Sequence, residues 1–377
     1  MKLELKACKV NQGNLMLYLT AMKVRELLSE NFYTVERLDP LDNENKGYQR
    51  LLNEGRAKKL SHYILDGMDT GDSFLPTSIF LATDSKLDFN EETSTLSIDT
   101  KEVDAFSVVD GQHRLEGLRM AALEDTRVLD FEVSVTIADN LNKISQTAHF
   151  LIVNTTQKSV DEGVSQRIRA RLHEAIDIED IPTLPRWIRN LVEKGSDVKA
   201  IAYVEYLNNN SDSPWQDKIK MANSSGKSGK LKEETFVKFI KKYVLVKNNP
   251  LIDQDSTKQK QIFRNYWKAI DELINIDGSA DGLYKYNGAD LFSKFFVEFV
   301  RNILSSGNAN FTVAVMKEKL KQAFKTVDGE AIGIGHSAFW KSGGKASGLN
   351  SGAITKIVNE LVISLSKAEN TTLDLVI

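Results

Sequence analysis

The sequence predicts an α+β protein, with an N-terminal α/β domain followed by a mainly α-helical domain. Two observations carry this reading. Between residues 75 and 137, short apolar runs and period-two alternation interleave with helical spacing. From about residue 161 the strand signal nearly disappears, and apolar residues recur at helical intervals. The 377 residues, 41% of them hydrophobic, suffice for two or three cores. The change of pattern divides the chain into domains at 1–162 and 163–377.

Each element has its own signal. Leu15, Leu19, Met22 and Leu27 recur at roughly helical spacing and predict a helix within residues 14–32. A polar, turn-rich stretch around residues 40–47 precedes a second helix over 54–66, with Ala57, Leu60, Ile64 and Leu65 inward. Residues 75–82 read as a strand, with Pro76 tolerated near its start. The polar stretch 84–101 predicts a small hairpin or excursion. A β-branched apolar run then ends at Asp110, Gly111 follows, and a helix begins with Leu115, Leu118, Ala122 and Leu123 on one face. Residues 131–137 alternate as a half-buried strand, and 143–153 return to helical spacing before Asn154, a residue that tolerates helix ends. Further helices are predicted over roughly 161–177, 185–207, 231–247, 257–276, 288–305, 312–326 and 351–367. Flexible loops are expected near 208–230 and 329–352; in the second, Phe339 or Trp340 is a candidate for stacking on an unpaired base.

The turn at residues 110–114 concentrates the chemistry. Asp110, Gln112, His113 and Arg114 crowd a strand-to-helix junction, more polar groups than capping needs. The first amides of a helix lack intrahelical partners and carry partial positive charge, which favours anions there. Gly111 permits close approach of a ligand to the backbone, and Arg114 offers a bidentate cationic contact. Asp110 can bind backbone amides or hold Mg²⁺ through water, and His113 either donates to phosphate or packs on the sheet. Arg167, Arg169, Arg171, Arg186 and Arg189 read as the solvated face of helices, with DNA-backbone contact as the alternative.

Composition narrows the class. One cysteine, Cys8, excludes an intrachain disulfide framework, and the five histidines show no zinc spacing. A net charge of -3 gives no global basic field, so a nucleic-acid surface must be a local patch. The Met-Lys-Leu-Glu-Leu-Lys opening lacks a signal-peptide core, and no apolar run reaches the ~20 residues of a membrane span, so a cytoplasmic location is expected. Ser224-Ser225-Gly226-Lys227-Ser228 lacks the first glycine of a phosphate loop, because Met221 occupies that position.

The pentapeptide Asp110-Gly111-Gln112-His113-Arg114 resembles the signature of the DGQHR-domain family, which includes DndB-like proteins associated with DNA sulfur modification. Gly47-Tyr48-Gln49-Arg50, Arg56 in a helix and the Leu75-Pro76 strand upstream agree, as does Asn154-Thr155-Thr156-Gln157-Lys158 downstream. The order of elements is also similar to the ParB/sulfiredoxin superfamily. That resemblance implies a nucleotide pocket between Gly111, Gln112, His113 and Arg114 and the Asn154, Gln157, Lys158 segment. Gln49, Arg50 or Arg56 would close it, and ATP or another nucleoside triphosphate with Mg²⁺ would be the cofactor. Gln112 stands where sulfiredoxin has its catalytic cysteine, which argues against sulfinic-acid reduction. No helix-turn-helix is evident after the Asn154 segment. The resemblance implies a homo-oligomeric, DNA-binding regulatory or accessory protein of a DNA-modification or phage-defence system, working with other modification proteins and not with membranes. The alternative is a slow nucleoside triphosphatase, with Asp110 organising metal or water and Arg114 stabilising phosphate charge.

Overall fold

The computed structural model describes residues 2–39, 47–156, 161–175, 186–224, 229–307, 309–328 and 333–369. The chain forms two compact units, Met1–Lys194 with Asn223–Ser225, and Gly195–Ala222 with Gly226–Ile377. The sequence pattern changes near residue 162, whereas the first unit extends through two further helices to Lys194.

The first unit is built on a mixed eight-stranded sheet of order β3-β7-β4-β8-β2-β1-β6-β5. Its strands are β1 (Lys2–Gln12), β2 (Leu15–Lys23), β3 (Tyr33–Thr34), β4 (Ile79–Ala82), β5 (Asp88–Asn90), β6 (Thr95–Asp99), β7 (Phe106–Asp110) and β8 (Glu132–Ala138). Its helices are α1 (Val24–Leu27), α2 (Glu54–Thr70), α3 (Gln112–Glu124), α4 (Lys143–Thr156), α5 (Glu162–Ala175) and α6 (Arg186–Glu193).

The helix expected within 14–32 is mostly strand. Gly13, at φ 61°, and Asn14 make a two-residue hairpin that pairs Gln12 with Leu15 and extends to Ala7 opposite Thr20. In β2, Tyr18, Thr20 and Met22 are buried while Leu19 faces the other side of the sheet, so the spacing that suggested a helix spans two faces. The alternation of buried Leu3, Leu5 and Ala7 with exposed Lys2, Glu4 and Lys6 marks β1. The strand expected from residue 75 begins only at Ile79.

The two sheet faces carry separate cores. On one, Leu3, Leu5, Tyr18, Met22, Ile79, Leu81, Val108 and Val135 pack with Ile64 of α2 and Leu115, Leu118 and Ala121 of α3. On the other, Leu17, Ala82, Val109 and Ala138 pack with Ala148 and Leu151 of α4 and Val164 and Ile168 of α5. Ala121 is buried in the inner stripe of α3 and Ala122 packs partly buried against the same core, as expected, whereas Leu123 is exposed. A Cβ on Gly117 of α3 would lie 2.9 Å from the Ala57 carbonyl and 2.8 Å from Leu60 Cδ2, so α2 and α3 approach at a distance only glycine allows.

The second unit is mostly helical: α7 (Ser196–Asn209), a two-strand pair β9 (Ile219–Lys220) and β10 (Leu231–Lys232), α8 (Glu233–Phe239), α9 (Ser256–Ile274), α10 (Tyr286–Ser305), α11 (Val313–Asp328), α12 (Ser337–Trp340) and α13 (Ser351–Glu369). Its core is aromatic. Trp215 meets Phe236 at 4.6 Å and Trp267 edge-on at 5.0 Å, and Phe263 meets Phe296 at 4.8 Å.

This packing holds the described aromatic rings of the two expected loop stretches. In the 208–230 stretch Trp215 is fully buried, and in the 329–352 stretch Trp340 is buried with its indole Nε1 donating to the Ile334 carbonyl at 2.7 Å. Phe339 is also buried, so neither ring is available to stack on an unpaired base. Residues 225–228 and 329–332 lie outside the described residues.

Gly117→Val should lower stability by about 1–3 kcal/mol through overpacking at the α2–α3 contact. Urea unfolding measures it against Gly348→Ala, where a Cβ meets nothing within 4 Å and the change should be much smaller.

Candidate anion site and adjoining cavity

Strand β7 delivers Asp110 to the edge of the sheet, and Gly111, at φ 110°, turns the chain into α3. A Cβ at Gly111 would sit 3.2 Å from Ile79 Cγ2 in a conformation that L side chains rarely adopt, which explains glycine here. Gly111 offers no side chain to cap α3, so the helix start keeps its favourable field for an anion.

Arg114, one turn on, is clamped. Its Nη2 donates to Asp110 Oδ2 at 2.6 Å, and its Nη1 donates to the Thr77 carbonyl at 3.0 Å and to Thr77 Oγ1. Gln112 is buried and donates from Nε2 to the Arg50 carbonyl at 3.2 Å. Gln49 is also buried, its amide donating to the carbonyls of Val108 at 2.6 Å and Val109 at 3.0 Å. Gln49 therefore holds the 47–53 segment against β7 and Gln112 ties it to the start of α3, which together position Arg50. Asn223, itself part of the first unit, donates to the Leu38 carbonyl at 2.6 Å and the Gln49 carbonyl at 3.2 Å on the same segment.

His113 accepts the Asn53 backbone N–H on Nε2 at 2.9 Å, while the Asn53 side chain caps α2 by accepting the Arg56 amide. This contact fixes the neutral imidazole with its proton on Nδ1. The starts of α2 and α3 thus converge on a cluster of Arg50, Arg56, His113 and Arg114. Burial, then Arg50 and Arg56, holds the His113 pKa below its ordinary value of 6.5, with Asp110 opposing. Burial, and next to it Arg56, lowers the pKa of Arg50. Arg50, Arg56 and Arg114 all act on His113, and Asp110, the carboxylate that acts with them, is engaged by Arg114.

Beside the cluster lies a cavity of about 610 Å³, between the sheet and α4. Its floor is one register row crossing four strands: Asp110 pairs with Phe80, Phe80 with Thr136, and Thr136 with Leu19. Thr77, Ser78 and Arg114 form one wall, and His149, Ile152 and Val153 of α4 the other. Thr136 Oγ1 donates to Ser78 Oγ at 3.0 Å. Burial lowers the pKa of His149.

Of the residues expected to form the site, the structure brings together Asp110, Gly111, Gln112, His113, Arg114, Arg50 and Arg56. Asn154 is half-buried on α4, its Nδ2 donating to the Phe150 carbonyl at 2.9 Å, next to the cavity wall but not part of it. Gln157 and Lys158 lie outside the described residues. The arginines of α5 are not a solvated face. Arg167 and Arg169 are buried, Arg169 pairs with Glu162 at 2.8 Å, and Arg171 donates to the carbonyls of Gly47 and Asp39. Sequence reasoning passed over Leu19, Phe80, Thr136, Thr77 and His149. The alternation of β8 carried a signal for Thr136; the others depend on strand register.

The nucleoside triphosphate implied by the sequence resemblance can be tested against these walls. The cavity size is within the ~300–1,000 Å³ of small-molecule sites. Among its described lining residues Arg114 is the one guanidinium or ammonium, and Asp110 already neutralises it. The remaining walls are largely Leu15, Leu17, Leu19, Phe80, Ile152 and Val153, which suit no polyanion. Among the described residues no three His, Cys, Asp or Glu side chains group to hold a metal.

A mixed sheet with helices on both faces and a cationic turn at one strand end make this an α/β domain with a candidate anion site. Residues 5–178 match the DndB family, described as DNA-sulfur modification-associated, and this segment is a DndB-family domain. No curated protein and no solved structure matches the chain. Among the described residues no helix is long and apolar enough to cross a membrane.

Because folding depresses the His113 and His149 pKa values, the unfolded chain binds more protons near pH 6. Stability is complete above the ordinary histidine pKa of 6.5 and falls as pH drops through it toward the lower folded values. His113→Gln should flatten part of this fall in urea titrations at pH 7.5 and 5.5, leaving the part due to His149.

Proposed function

We propose that this protein is a DNA-binding accessory component of DNA sulfur modification, engaging phosphate groups at the start of α3 and acting as a regulator of its modification system. The observation that carries the reading is the convergence of Arg50, Arg56 and Arg114 on an uncapped helix start within a DndB-family domain. The chain as a whole has net charge -3, so a local cationic patch is needed for a polyphosphate backbone to be attracted at all. Arg50 and Arg56 are the principal contacts. Arg114 and Asp110 shape the turn, Gly111 keeps the helix start open, and Gln112 and His113 hold Arg50 and α2 in place. The phosphates of a nucleotide satisfy the same cluster and would tune DNA binding by competing for it.

Fluorescence anisotropy of a labelled duplex across a salt series tests this. Binding should weaken with salt, and Arg56→Ala should reduce the slope of log K against log [salt] by about 1. Arg50→Glu with Arg56→Glu should abolish binding, with the thermal unfolding midpoint retained as evidence of folding. Salt-independent binding, or unchanged binding by the double variant, would refute the proposal. In a parallel thermal-shift series, ATP, GTP or CTP at ~100 times its dissociation constant should add about 2.7 kcal/mol.

A further inference from the structure

The cavity between the sheet and α4 is chemically unlike the cationic cluster beside it. Its floor is part apolar: Phe80 lies mid-row, between Asp110 on β7 and Thr136 on β8, with Leu19 beyond. Tyr18 pairs with Phe89, Phe32 with Phe106 and Tyr48 with Phe150, while Tyr33 and Phe131 are partly buried against the core without a ring pair among the described residues. Phe80 has no such partner among the described rings, and its half-buried ring contributes to the cavity surface. Leu19 is 42% exposed although it lies in a central strand, because the cavity leaves that side of β2 uncovered.

At one end of this floor, hydrogen-bonding groups of both senses converge. Asp110 supplies carboxylate oxygens, Arg114 guanidinium N–H groups, and Thr77 and Ser78 hydroxyls. Asp110 and Arg114 cancel in charge, so the end presents acceptors and donors without a net field. A polyanion entering here would meet Asp110 and an aliphatic wall. A flat, uncharged ring with polar edge atoms would stack on Phe80 and exchange hydrogen bonds with the polar end.

We infer that the cavity is a binding site for an uncharged heteroaromatic ring of nucleobase type, stacked on Phe80 with its polar edge toward Asp110 and Arg114. It excludes phosphates, which belong to the outer cluster. The ring can come from a free nucleoside or from a base displaced out of a DNA strand; the recognition chemistry is the same. The inference does not rest on the proposed DNA regulation, because the floor and polar end exist without Arg50 or Arg56.

The test uses the full chain. Binding of adenosine, guanosine, cytidine and thymidine is followed by saturation-transfer NMR, with inorganic tripolyphosphate as competitor. In a second arm, DNA carrying 2-aminopurine reports base displacement by a rise in fluorescence. At least one nucleoside should bind, or the 2-aminopurine signal should rise; the first outcome identifies a free ligand, the second a displaced base. Phe80→Leu, which keeps an apolar side chain, should weaken the response about tenfold or more. Leu19→Trp, placed at the open end of the row, should block it. Tripolyphosphate should not compete, and Arg50→Glu with Arg56→Glu should leave nucleoside binding intact even where it abolishes binding to the DNA backbone. Silence in both arms overturns the inference, as does competition by tripolyphosphate or a response indifferent to both Phe80→Leu and Leu19→Trp in variants that retain the wild-type unfolding midpoint.

Discussion

The interaction on which the first unit's chemistry depends is the bridge from Arg114 to Asp110 and Thr77. One guanidinium joins the last residue of β7, the first turn of α3 and the segment entering β4. The pair is partly exposed, with side-chain exposures of 17% for Arg114 and 38% for Asp110, so its net contribution to stability is modest. Its geometric role is larger. It holds a planar group at the sheet edge with one side toward the cavity and the other toward Arg50, Arg56 and His113. Two chemically different surfaces therefore meet at one ion pair, and neither can shift without disturbing the other.

The sheet explains how both surfaces fit in one domain. Its two faces bury different sets of residues, and α2 with α3 cover one while α4 with α5 cover the other. Helices α2 and α3 can converge at their starts because Gly117 lets them approach closely further along. On the opposite face Ala82 and Ala138 sit under α4 beside Leu17, whereas the neighbouring row of Phe80, Thr136 and Leu19 opens into the cavity. Small side chains thus seat the helix in one row, and the next row lines the cavity.

Much of this was legible in the sequence where the signal is local. The strand-glycine-helix junction at 106–124, the alternation of 131–137 and the long helices of the second unit follow from periodicity within a single segment. The β2 strand was misread because Leu15, Leu19 and Met22 satisfy helical spacing, and only the hairpin at Gly13 reveals that Leu19 and Met22 face opposite ways. The α5 arginines illustrate the reverse failure: a run of charge reads as a wet surface, yet Arg169 is buried while paired with Glu162 of its own helix and Arg171 reaches the distant carbonyls of Gly47 and Asp39. Phe339 and Trp340 sit in a glycine-rich segment, yet Gly344 there serves close packing: a Cβ on it would lie 2.7 Å from the Phe339 carbonyl. The turn residues were legible as a group, but their division into ligand-facing and scaffold roles was not. Gln49 and Gln112 look like ligands in sequence and act as struts in space, because backbone carbonyls of β7 and Arg50 need donors.

The register row beneath the cavity is assembled from residues 19, 80, 110 and 136, whose strands are brought together from four distant stretches of chain. No hairpin or fragment carries more than part of it. Closing such non-local pairings is the slow, entropically costly part of folding. The floor beneath the cavity accordingly emerges only as the native topology completes, so a probe that reads its integrity reads that of the whole domain rather than of one local motif.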